Sequence, residues 1–270
     1  MPELPEVETT CRGIAPYVTG HKIKQIRIHQ RQLRWPIPKA IDGLKGVTVR
    51  EVTRRGKYIQ LHVDHGEAIV HLGMSGSLRI TDSKEPLRKH DHVEWVMDNG
   101  HTVRLHDPRR FGCVLWHATG TPPHPLLEKL GPEPLGNAFT TDYLFEQTRK
   151  RKTSIKVFIM NSHIVVGVGN IYASESLFMA GIRPGRAAGR ITKLESERLV
   201  QAIKQVLQKS IKQGGTTLRD FVNSDGEPGY FKQQLLAYDR AGEPCRTCNS
   251  PIKQKVMGQR STYYCSHCQR

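Results

Sequence analysis

Four cysteines close to the C-terminus constrain the fold more than any other feature of this sequence. They form two pairs, Cys-Arg-Thr-Cys and Cys-Ser-His-Cys, at Cys245, Cys248, Cys265 and Cys268. A tight turn within each pair can point two thiolates at one ion, and two such pairs give the tetrahedral ligand set of a structural Zn²⁺. Two disulfides are the alternative, which an oxidising compartment would favour. The spacing predicts one structural zinc ion, with no open coordination position for catalysis.

The charge of the chain is strongly one-sided. The 270 residues include 41 Lys and Arg against 25 Asp and Glu, which gives a formal net charge of +16. Such an excess predicts a polyanionic partner, although charge carried only for solubility is the alternative. Because no apolar run is long enough to span a bilayer and no secretory signal is recognisable, we expect a protein of the reducing cytoplasm.

The first eight residues, Met-Pro-Glu-Leu-Pro-Glu-Val-Glu, allow two interpretations. Pro5 and Glu6 are typical of the first turn of a helix. Alternatively, loss of Met1 would expose Pro2 as a secondary amine beside the carboxyl group of Glu3. Condensation of that amine with a sugar aldehyde would give a cationic iminium, which draws electrons from the neighbouring carbon and favours elimination. The sequence leaves both possibilities open, and the second depends on removal of Met1.

The chain changes character along its length. Residues 22–118 contain several short runs that alternate in polarity, and Asn99-Gly100 lies between two of them, which predicts a β-hairpin within an antiparallel sandwich. Prolines are concentrated in residues 121–136, and helical periodicity follows. It is clearest at 192–213, where Thr192 and Glu195 form a capping-box pattern and Gly214-Gly215 follows.

These patterns predict a multidomain α+β protein with an N-terminal antiparallel β-sandwich flanked by helices. We expect four segments, namely a sandwich domain at 1–120, a linker at 121–136, a helical domain at 137–235 and a four-cysteine zinc finger at 236–270.

Three further segments suggest nucleic-acid binding. Val-Val-Gly-Val-Gly-Asn-Ile-Tyr at 165–172 is a glycine turn that leads into a helix expected at 173–180, so Asn170 and the helix N-terminus could bind phosphate. Asp-Pro-Arg-Arg-Phe-Gly at 107–112 and His-Leu-Gly-Met-Ser-Gly at 71–76 offer Arg109, Phe111 and Met74, which could fill the space that a base leaves in a duplex. A packed turn, core apolar side chains and solvated arginines are the alternatives.

Taken in order, these motifs resemble those of bacterial formamidopyrimidine-DNA glycosylase. The terminus Pro-Glu-Leu-Pro-Glu-Val-Glu, the three internal segments and the closing finger cover essentially the whole chain. The related endonuclease VIII branch shares the proline terminus, the glycine turn and the finger, but it typically has Gly in place of Leu4 and lacks the Arg-Arg-Phe stretch. One departure from the family pattern is Asn161, where an Asp is usual. Asn161 can still accept a hydrogen bond but carries no charge.

The resemblance implies roles for individual residues. Pro2 is expected to be the nucleophile that attacks C1′ of the damaged nucleotide, with Glu3 as its acid and proton shuttle and Glu6 as a supporting group. Lys57 and Arg260 are expected to act in catalysis by contacting phosphates near the damaged nucleotide. The positive charges of Lys57 and other nearby cations are expected to lower the pKa of the terminal amine. Expected DNA contacts are His71, Met74, His90, Arg109, Phe111, Lys156, Asn170, Tyr238 and Arg260, and Thr217, Arg219 and Tyr230 are expected in the loop over the flipped base.

The implied function is base excision repair. A bifunctional glycosylase and abasic-site lyase would excise 8-oxoguanine and formamidopyrimidines from duplex DNA and cut the strand by β,δ-elimination. The helical domain would contain a helix-two-turn-helix element, the finger would be a β-hairpin, and the protein would be a nucleoid-associated bacterial monomer. Two alternatives remain open: a glycosylase for oxidised pyrimidines, and a non-catalytic protein that binds damaged DNA with Met1 retained.

Overall fold

The computed structural model describes residues 1–216 and 234–270. The chain divides into two compact units, Met1–Glu128 with 213–216 and Lys129–Lys212 with 234–270. Thr217, Arg219 and Tyr230, predicted to lie over the lesion, fall outside the described residues. In the part of the chain that the structure describes, no helix is both long enough and apolar enough to cross a membrane.

The first unit is an antiparallel β-sandwich with a helix at its start, as the sequence predicts. Helix α1 spans Leu4–Val18, a 3₁₀ helix spans Lys39–Leu44 and helix α2 spans Pro125–Glu128. The strands form two four-stranded sheets, in the orders β1-β6-β7-β5 and β2-β3-β4-β8. Their bounds are β1 Ile23–Ile28, β2 Glu51–Arg55, β3 Tyr58–Val63, β4 Gly66–His71, β5 Ser77–Asp82, β6 Asp91–Met97, β7 His101–His106 and β8 Cys113–Ala118.

The core of this unit lies between the sheets and under helix α1. Alternate residues of the strands point into it, and Val7 and Ile14 of α1 are buried in the same cluster. The predicted hairpin joins β6 to β7, with Val96 opposite Thr102 and Gly100 at a φ of +87°. Because a positive φ carries no steric cost for glycine, Asn99-Gly100 fixes the register of this strand pair.

The second unit is helical and ends in a two-stranded hairpin. Its elements are α3 Thr141–Thr148, α4 Ile155–Ile159, α5 Asn170–Met179, a 3₁₀ helix Ala188–Arg190, α6 Lys193–Lys212, β9 Lys253–Met257 and β10 Arg260–Tyr264. The capping box forms as predicted before α6, since Glu195 N donates to Thr192 Oγ1 at 3.1 Å and Thr192 N donates to Glu195 Oε2 at 2.9 Å. Helix α5 begins three residues earlier than expected, because extended Gly169 (φ −116°) is itself the N-cap.

Candidate functional site

The first turn of α1 holds the N-terminal residues in a fixed arrangement. Glu3 is the N-cap, and its backbone N–H donates to Glu6 Oε2 at 2.8 Å within a capping box. Pro2 is buried, and Glu3 and Glu6 are each 2% exposed. The predicted helix start and the predicted reactive terminus are therefore one structure, in which the helix orients Pro2 and Glu3.

Glu6 also binds a segment that lies far away in the sequence. Its Oε1 accepts a hydrogen bond from Thr216 N at 2.8 Å. Gly215 lies against Glu6 with a φ of +85°, and a Cβ at this position would come within 3.1 Å of Glu6 Oε1. One buried carboxylate thus joins the N-terminal turn to the residues that follow α6. Sequence analysis predicted a supporting role for Glu6 but could not predict its partner.

The chemistry available at this terminus depends on the state of the Pro2 nitrogen. In the chain that begins with Met1, this nitrogen lies in a peptide bond and has no lone pair for attack on carbon. Removal of Met1 converts it to a secondary amine at the N-terminal end of α1, next to the buried carboxyl group of Glu3. An amine beside a carboxyl group that can exchange protons is the arrangement that iminium formation and elimination require.

His71 ends strand β4 beside cationic groups. Burial, together with the charges of Lys57 and Arg34, lowers the pKa of its imidazole to about 4. His71 Nδ1 accepts a hydrogen bond from Gly73 N at 2.9 Å, so at neutral pH the ring is uncharged and carries its proton on Nε2. His71 can therefore donate one hydrogen bond to a phosphate oxygen without contributing a charge. Half-buried Lys57 supplies charge in this region.

The turns that contain Met74 and Phe111 lie against each other. A Cβ on Gly73, whose φ is +64°, would come within 2.5 Å of both Gly112 N and the carbonyl carbon of Phe111. Gly112 N also donates to the buried carboxylate of Asp107 at 2.7 Å. The close approach therefore requires glycine, and it brings together two segments that the sequence analysis singled out separately.

Two side chains of the Phe111 turn project from the surface. The Phe111 ring is 44% exposed, and the guanidinium carbon of Arg109 lies 4.8 Å from its centroid. His90 contacts the same region, because Asp107 N donates to His90 O at 3.0 Å, and its ring lies 6.2 Å from that of His106. An exposed aromatic ring beside a guanidinium can enter a base stack, as the motif suggested.

In the second unit Lys156 is buried. Its side chain has no exposed surface, and its ammonium donates to Asn170 Oδ1 at 2.5 Å, Thr262 Oγ1 at 2.7 Å and Ser261 O at 3.1 Å. Lys156 therefore joins α4 to the start of α5 and to strand β10. This geometry indicates that Lys156 orients the side chain of Asn170. A direct contact of Lys156 with DNA stays a prediction.

Both the oxygen and the nitrogen of the Asn170 side-chain amide are hydrogen bonded. In addition to the bond from Lys156, its Nδ2 donates to Ser261 O at 3.0 Å and to the Tyr238 hydroxyl at 3.4 Å. Asn170 is also the first residue of α5, so its amide lies at the positive end of the helix dipole. The structure thus brings together Asn170 and Tyr238, two of the predicted DNA contacts.

Glu175 is a positioning residue that the sequence analysis missed. Its carboxylate is 1% exposed and accepts backbone hydrogen bonds from Leu236, Ala237 and Tyr238 at 2.7–2.9 Å. Burial raises the pKa of Glu175 despite these donors. A glutamate in the apolar stretch Ala-Ser-Glu-Ser-Leu-Phe was the available signal, because a buried carboxylate requires donors from elsewhere in the fold.

The finger supplies both the predicted zinc ligands and Arg260. The Sγ atoms of the four cysteines lie within 4.8 Å of one another, which is compatible with Zn–S bonds of about 2.3 Å. Thr247 N donates to Cys245 Sγ at 3.5 Å and Cys268 N donates to Cys265 Sγ at 3.4 Å, and such donors stabilise thiolate ligands. The cysteines fit one structural zinc ion, as predicted. Exposed Arg260 begins β10 after the two-residue turn Gly258-Gln259, in which both residues have positive φ.

Asn161 retains the local role expected of an aspartate. Its Oδ1 accepts a hydrogen bond from His163 N at 3.0 Å, and its backbone oxygen accepts from Ile164 N and Val165 N. The turn before the glycines therefore forms without a charge at this position.

Comparisons with known proteins agree with the three parts of this fold. Residues 1–114 match the model of the formamidopyrimidine-DNA glycosylase N-terminal domain, residues 130–222 match the H2TH domain of the same enzyme, and residues 242–270 match a zinc finger found in FPG and IleRS. These matches indicate the class of protein, a DNA glycosylase with a helix-two-turn-helix domain and a zinc finger.

Full-length relatives make the assignment specific. Formamidopyrimidine-DNA glycosylase of Thioalkalivibrio sulfidiphilus is 59% identical and that of Methylococcus capsulatus is 55% identical, each over 100% of both chains. The crystal structure of MutM (Fpg) from Thermus thermophilus has a TM-score of 0.89 and 37% identity, covering 99% of this chain and 98% of that chain. A complex of Lactococcus lactis Fpg with DNA containing an abasic site has a TM-score of 0.92 and 32% identity over 99% of each chain. The chain belongs to the formamidopyrimidine-DNA glycosylase family.

Proposed function

We propose that this protein is a bifunctional DNA glycosylase and abasic-site lyase that excises oxidised purines from duplex DNA. The observation that carries the proposal is the N-terminal turn, where buried Pro2 and Glu3 are held by Glu6 in a chain of this family. Removal of Met1 is part of the proposal, because only then is the Pro2 nitrogen a nucleophile.

The proposed reaction begins with attack of the Pro2 amine on C1′ of the damaged nucleotide. The N-glycosidic bond breaks and the base leaves with the bonding electrons and a proton, while Glu3 protonates the ring oxygen and the sugar opens. The resulting iminium accepts the electrons of the C2′–H bond while the Glu3 carboxylate takes the C2′ proton, so the 3′ phosphate leaves by β-elimination. A second elimination removes the C4′ proton and releases the 5′ phosphate, and water then hydrolyses the iminium and frees the Pro2 amine. The zinc ion takes no part, because four thiolates leave it no open position.

Access to C1′ requires that the damaged nucleotide leave the duplex, at a cost of a few kcal/mol. Met74 and Phe111 are proposed to fill the vacated space, with Arg109 donating to the base left unpaired. Contacts with phosphate from a chain of charge +16 offset the cost of extrusion. We propose His71 and Lys57 as phosphate contacts in the first unit.

In the second unit, Asn170 and Arg260 are the proposed phosphate contacts. Tyr238 is proposed to act beside Asn170, to which it is hydrogen bonded. The physiological partner is proposed to be damaged double-stranded DNA, bound by a monomer in the bacterial cytoplasm at the nucleoid.

A wider range of lesions is a second candidate. A Lactococcus lactis Fpg with 32% identity to this chain was crystallised with DNA containing an oxidised pyrimidine. Parallel excision assays on duplexes with 8-oxoguanine and with an oxidised pyrimidine measure this preference directly. Faster excision of the pyrimidine would favour the endonuclease VIII-like alternative.

The proposal is tested by release of 8-oxoguanine from a labelled duplex under single-turnover conditions. Glu3→Gln is expected to lower the rate at least about 100-fold, the usual effect of losing an acid–base group. Glu8→Gln is the matched control, since Glu8 lies in the same helix but pairs with Arg12 and Arg54. Equal rates for wild type and Glu3→Gln would contradict the assigned role of Glu3, and no release by the processed wild type would contradict the function.

A further inference from the structure

A short loop after strand β1 presents two exposed side chains on a fixed backbone. Gln32 and Pro36 form an antiparallel bridge, and Ile37 N donates to Arg31 O at 2.9 Å, so the chain between them makes a closed turn. Leu33 and Ile37 are buried at 4% and 2% exposure and anchor the loop to the core of the first unit. Pro36 also restricts the backbone of the residue before it. Arg34 and Trp35 lie at the tip.

The tip carries an arginine–aromatic pair that faces solvent. The guanidinium carbon of Arg34 lies 4.7 Å from the Trp35 ring centroid, and Trp35 is 36% exposed. Trp95, by contrast, is 1% exposed in strand β6. A large aromatic ring held exposed on a rigid loop is typical of a binding contact. The fold already restricts its conformations, so little further conformational entropy is lost on binding.

The loop is continuous with the turn that contains Phe111. Arg34 N donates to Gly112 O at 3.1 Å. The Phe111 turn carries its own pair, in which Arg109 lies 4.8 Å from the ring of Phe111. Two exposed arginine–aromatic pairs, Arg34–Trp35 and Arg109–Phe111, are therefore joined through Gly112 into one surface of the first unit.

The charge of Arg34 acts on the same group of residues. It lowers the pKa of His71, after burial and Lys57, and it opposes the rise that burial causes in the pKa of Tyr58. The Arg34 guanidinium thus lies within electrostatic range of the residues proposed to bind phosphate. A ligand of this surface needs flat apolar groups that stack on the Trp35 ring and closely spaced anions that pair with the cations. A nucleotide chain has both.

We propose that Arg34 and Trp35 form a second DNA contact beside the Phe111 turn. Trp35 packs on the sugar and base of a nucleotide of the bound duplex, and the Arg34 guanidinium pairs with an adjacent phosphate. This inference rests on the proposed function, since it assumes that duplex DNA is the ligand, but it assigns a contact that is separate from the catalytic terminus.

The intrinsic fluorescence of the protein tests the position of Trp35. The chain has three tryptophans, Trp35, buried Trp95 and half-buried Trp116. Titration of wild type with an undamaged duplex is expected to quench the emission, and Trp35→Phe is expected to lose most of that change. Trp116→Phe is the matched control and is expected to retain it. An equal change in wild type and Trp35→Phe would overturn the inference.

Affinity and salt dependence provide the second readout. Trp35→Ala is expected to raise the Kd for duplex about 5- to 150-fold, the range of a single stacking contact. Arg34→Gln is expected to lower the slope of log K against log salt by about 1. Arg50→Gln, which removes an exposed charge paired with Asp64, is the control and should leave the slope unchanged. Far-UV circular dichroism establishes that each variant is folded.

The outcomes separate this inference from the proposed function. A wild-type protein that binds and excises normally, with Trp35→Ala and Arg34→Gln equal to it in affinity and salt slope, would overturn the second contact alone. A wild-type protein that binds no duplex would overturn both.

Discussion

Replacement of Lys156 by methionine is the most informative change in the second unit. Methionine is close to lysine in length and fills the same space, but it has no donor for the three oxygens that the ammonium contacts. The expected result is a less stable second unit in which Asn170 is no longer held in its present orientation.

The size of the effect follows from the three acceptors. Each buried acceptor left without a partner costs about 1–3 kcal/mol, so a simple sum is about 3–9 kcal/mol. Ser261 O retains the bond from Asn170 Nδ2, and the Thr262 hydroxyl retains its 3.3 Å contact with Arg260 O. The lower part of the range is therefore expected, a loss of about 3–5 kcal/mol in the free energy of unfolding, similar to that of other broken buried polar networks.

Urea denaturation can follow the two units separately. All three tryptophans lie in the first unit, whereas helices α3, α4, α5 and α6 lie in the second. In Lys156→Met the transition seen by circular dichroism is expected to move to lower urea, while the fluorescence transition moves less. Binding of duplex should weaken at least about 10-fold as Asn170 turns away.

The control is Lys193→Met, which removes an exposed ammonium paired with Asp142 and should leave the transition where it is. Coincident circular dichroism transitions for Lys156→Met and wild type would refute the conclusion that the buried ammonium organises this unit.

Three further predictions concern the terminus, the finger and the sandwich. The backbone N–H groups of Glu3 and Thr216 each donate to one carboxylate oxygen of Glu6, and in Glu6→Gln only one oxygen acceptor is left for them. We therefore expect the free energy of unfolding to fall by about 1–3 kcal/mol and the rate of covalent adduct formation with damaged DNA to fall with it. Chelation of zinc should unfold the finger and weaken DNA binding, and Zn²⁺ but not Mg²⁺ should restore both. Buried hydrogen bonds to Arg and His hold the pKa values of Asp91 and Glu94 low against the effect of burial, so the melting temperature should be steady near pH 5–7 and fall below about pH 4.

Each of these has a result that would contradict it. Adduct formation by Glu6→Gln at the wild-type rate would show that the link between the N-terminal turn and Thr216 has no bearing on catalysis. A chelated protein that keeps its affinity for duplex would exclude a structural role for the metal in binding. A melting temperature that rises on acidification would mean that the folded-state pKa values of Asp91 and Glu94 lie above their unfolded values.

The features that sequence predicted well are those whose partners are close in the chain. The capping box of Thr192 and Glu195, the Asn99-Gly100 hairpin and the paired cysteine turns each depend on a few neighbouring residues. Their local geometry is strongly restricted, so the sequence pattern identifies them without knowledge of the fold.

The features that sequence could not predict depend on contacts between distant segments. Lys156 and Thr262 are separated by 106 residues and Glu6 and Thr216 by 210. A lysine is usually exposed, and its place in Ile-Lys-Val-Phe-Ile did not identify the distant oxygens that its ammonium contacts. Only the packing of α4 against α5 and the β9–β10 hairpin shows that Lys156 organises the predicted DNA contacts.

Borohydride trapping on a duplex with 8-oxoguanine shows directly whether Pro2 forms an iminium with damaged DNA. Intact mass first establishes which molecules have lost Met1, and reduction during turnover then converts the iminium at Pro2 to a stable amine. The expected result is a covalent protein–DNA adduct whose attachment maps to Pro2, formed by processed protein and not by protein that retains Met1. Processed protein that binds the damaged duplex but yields no adduct at any pH would show that Pro2 is not the nucleophile and would favour a non-catalytic protein that binds damaged DNA.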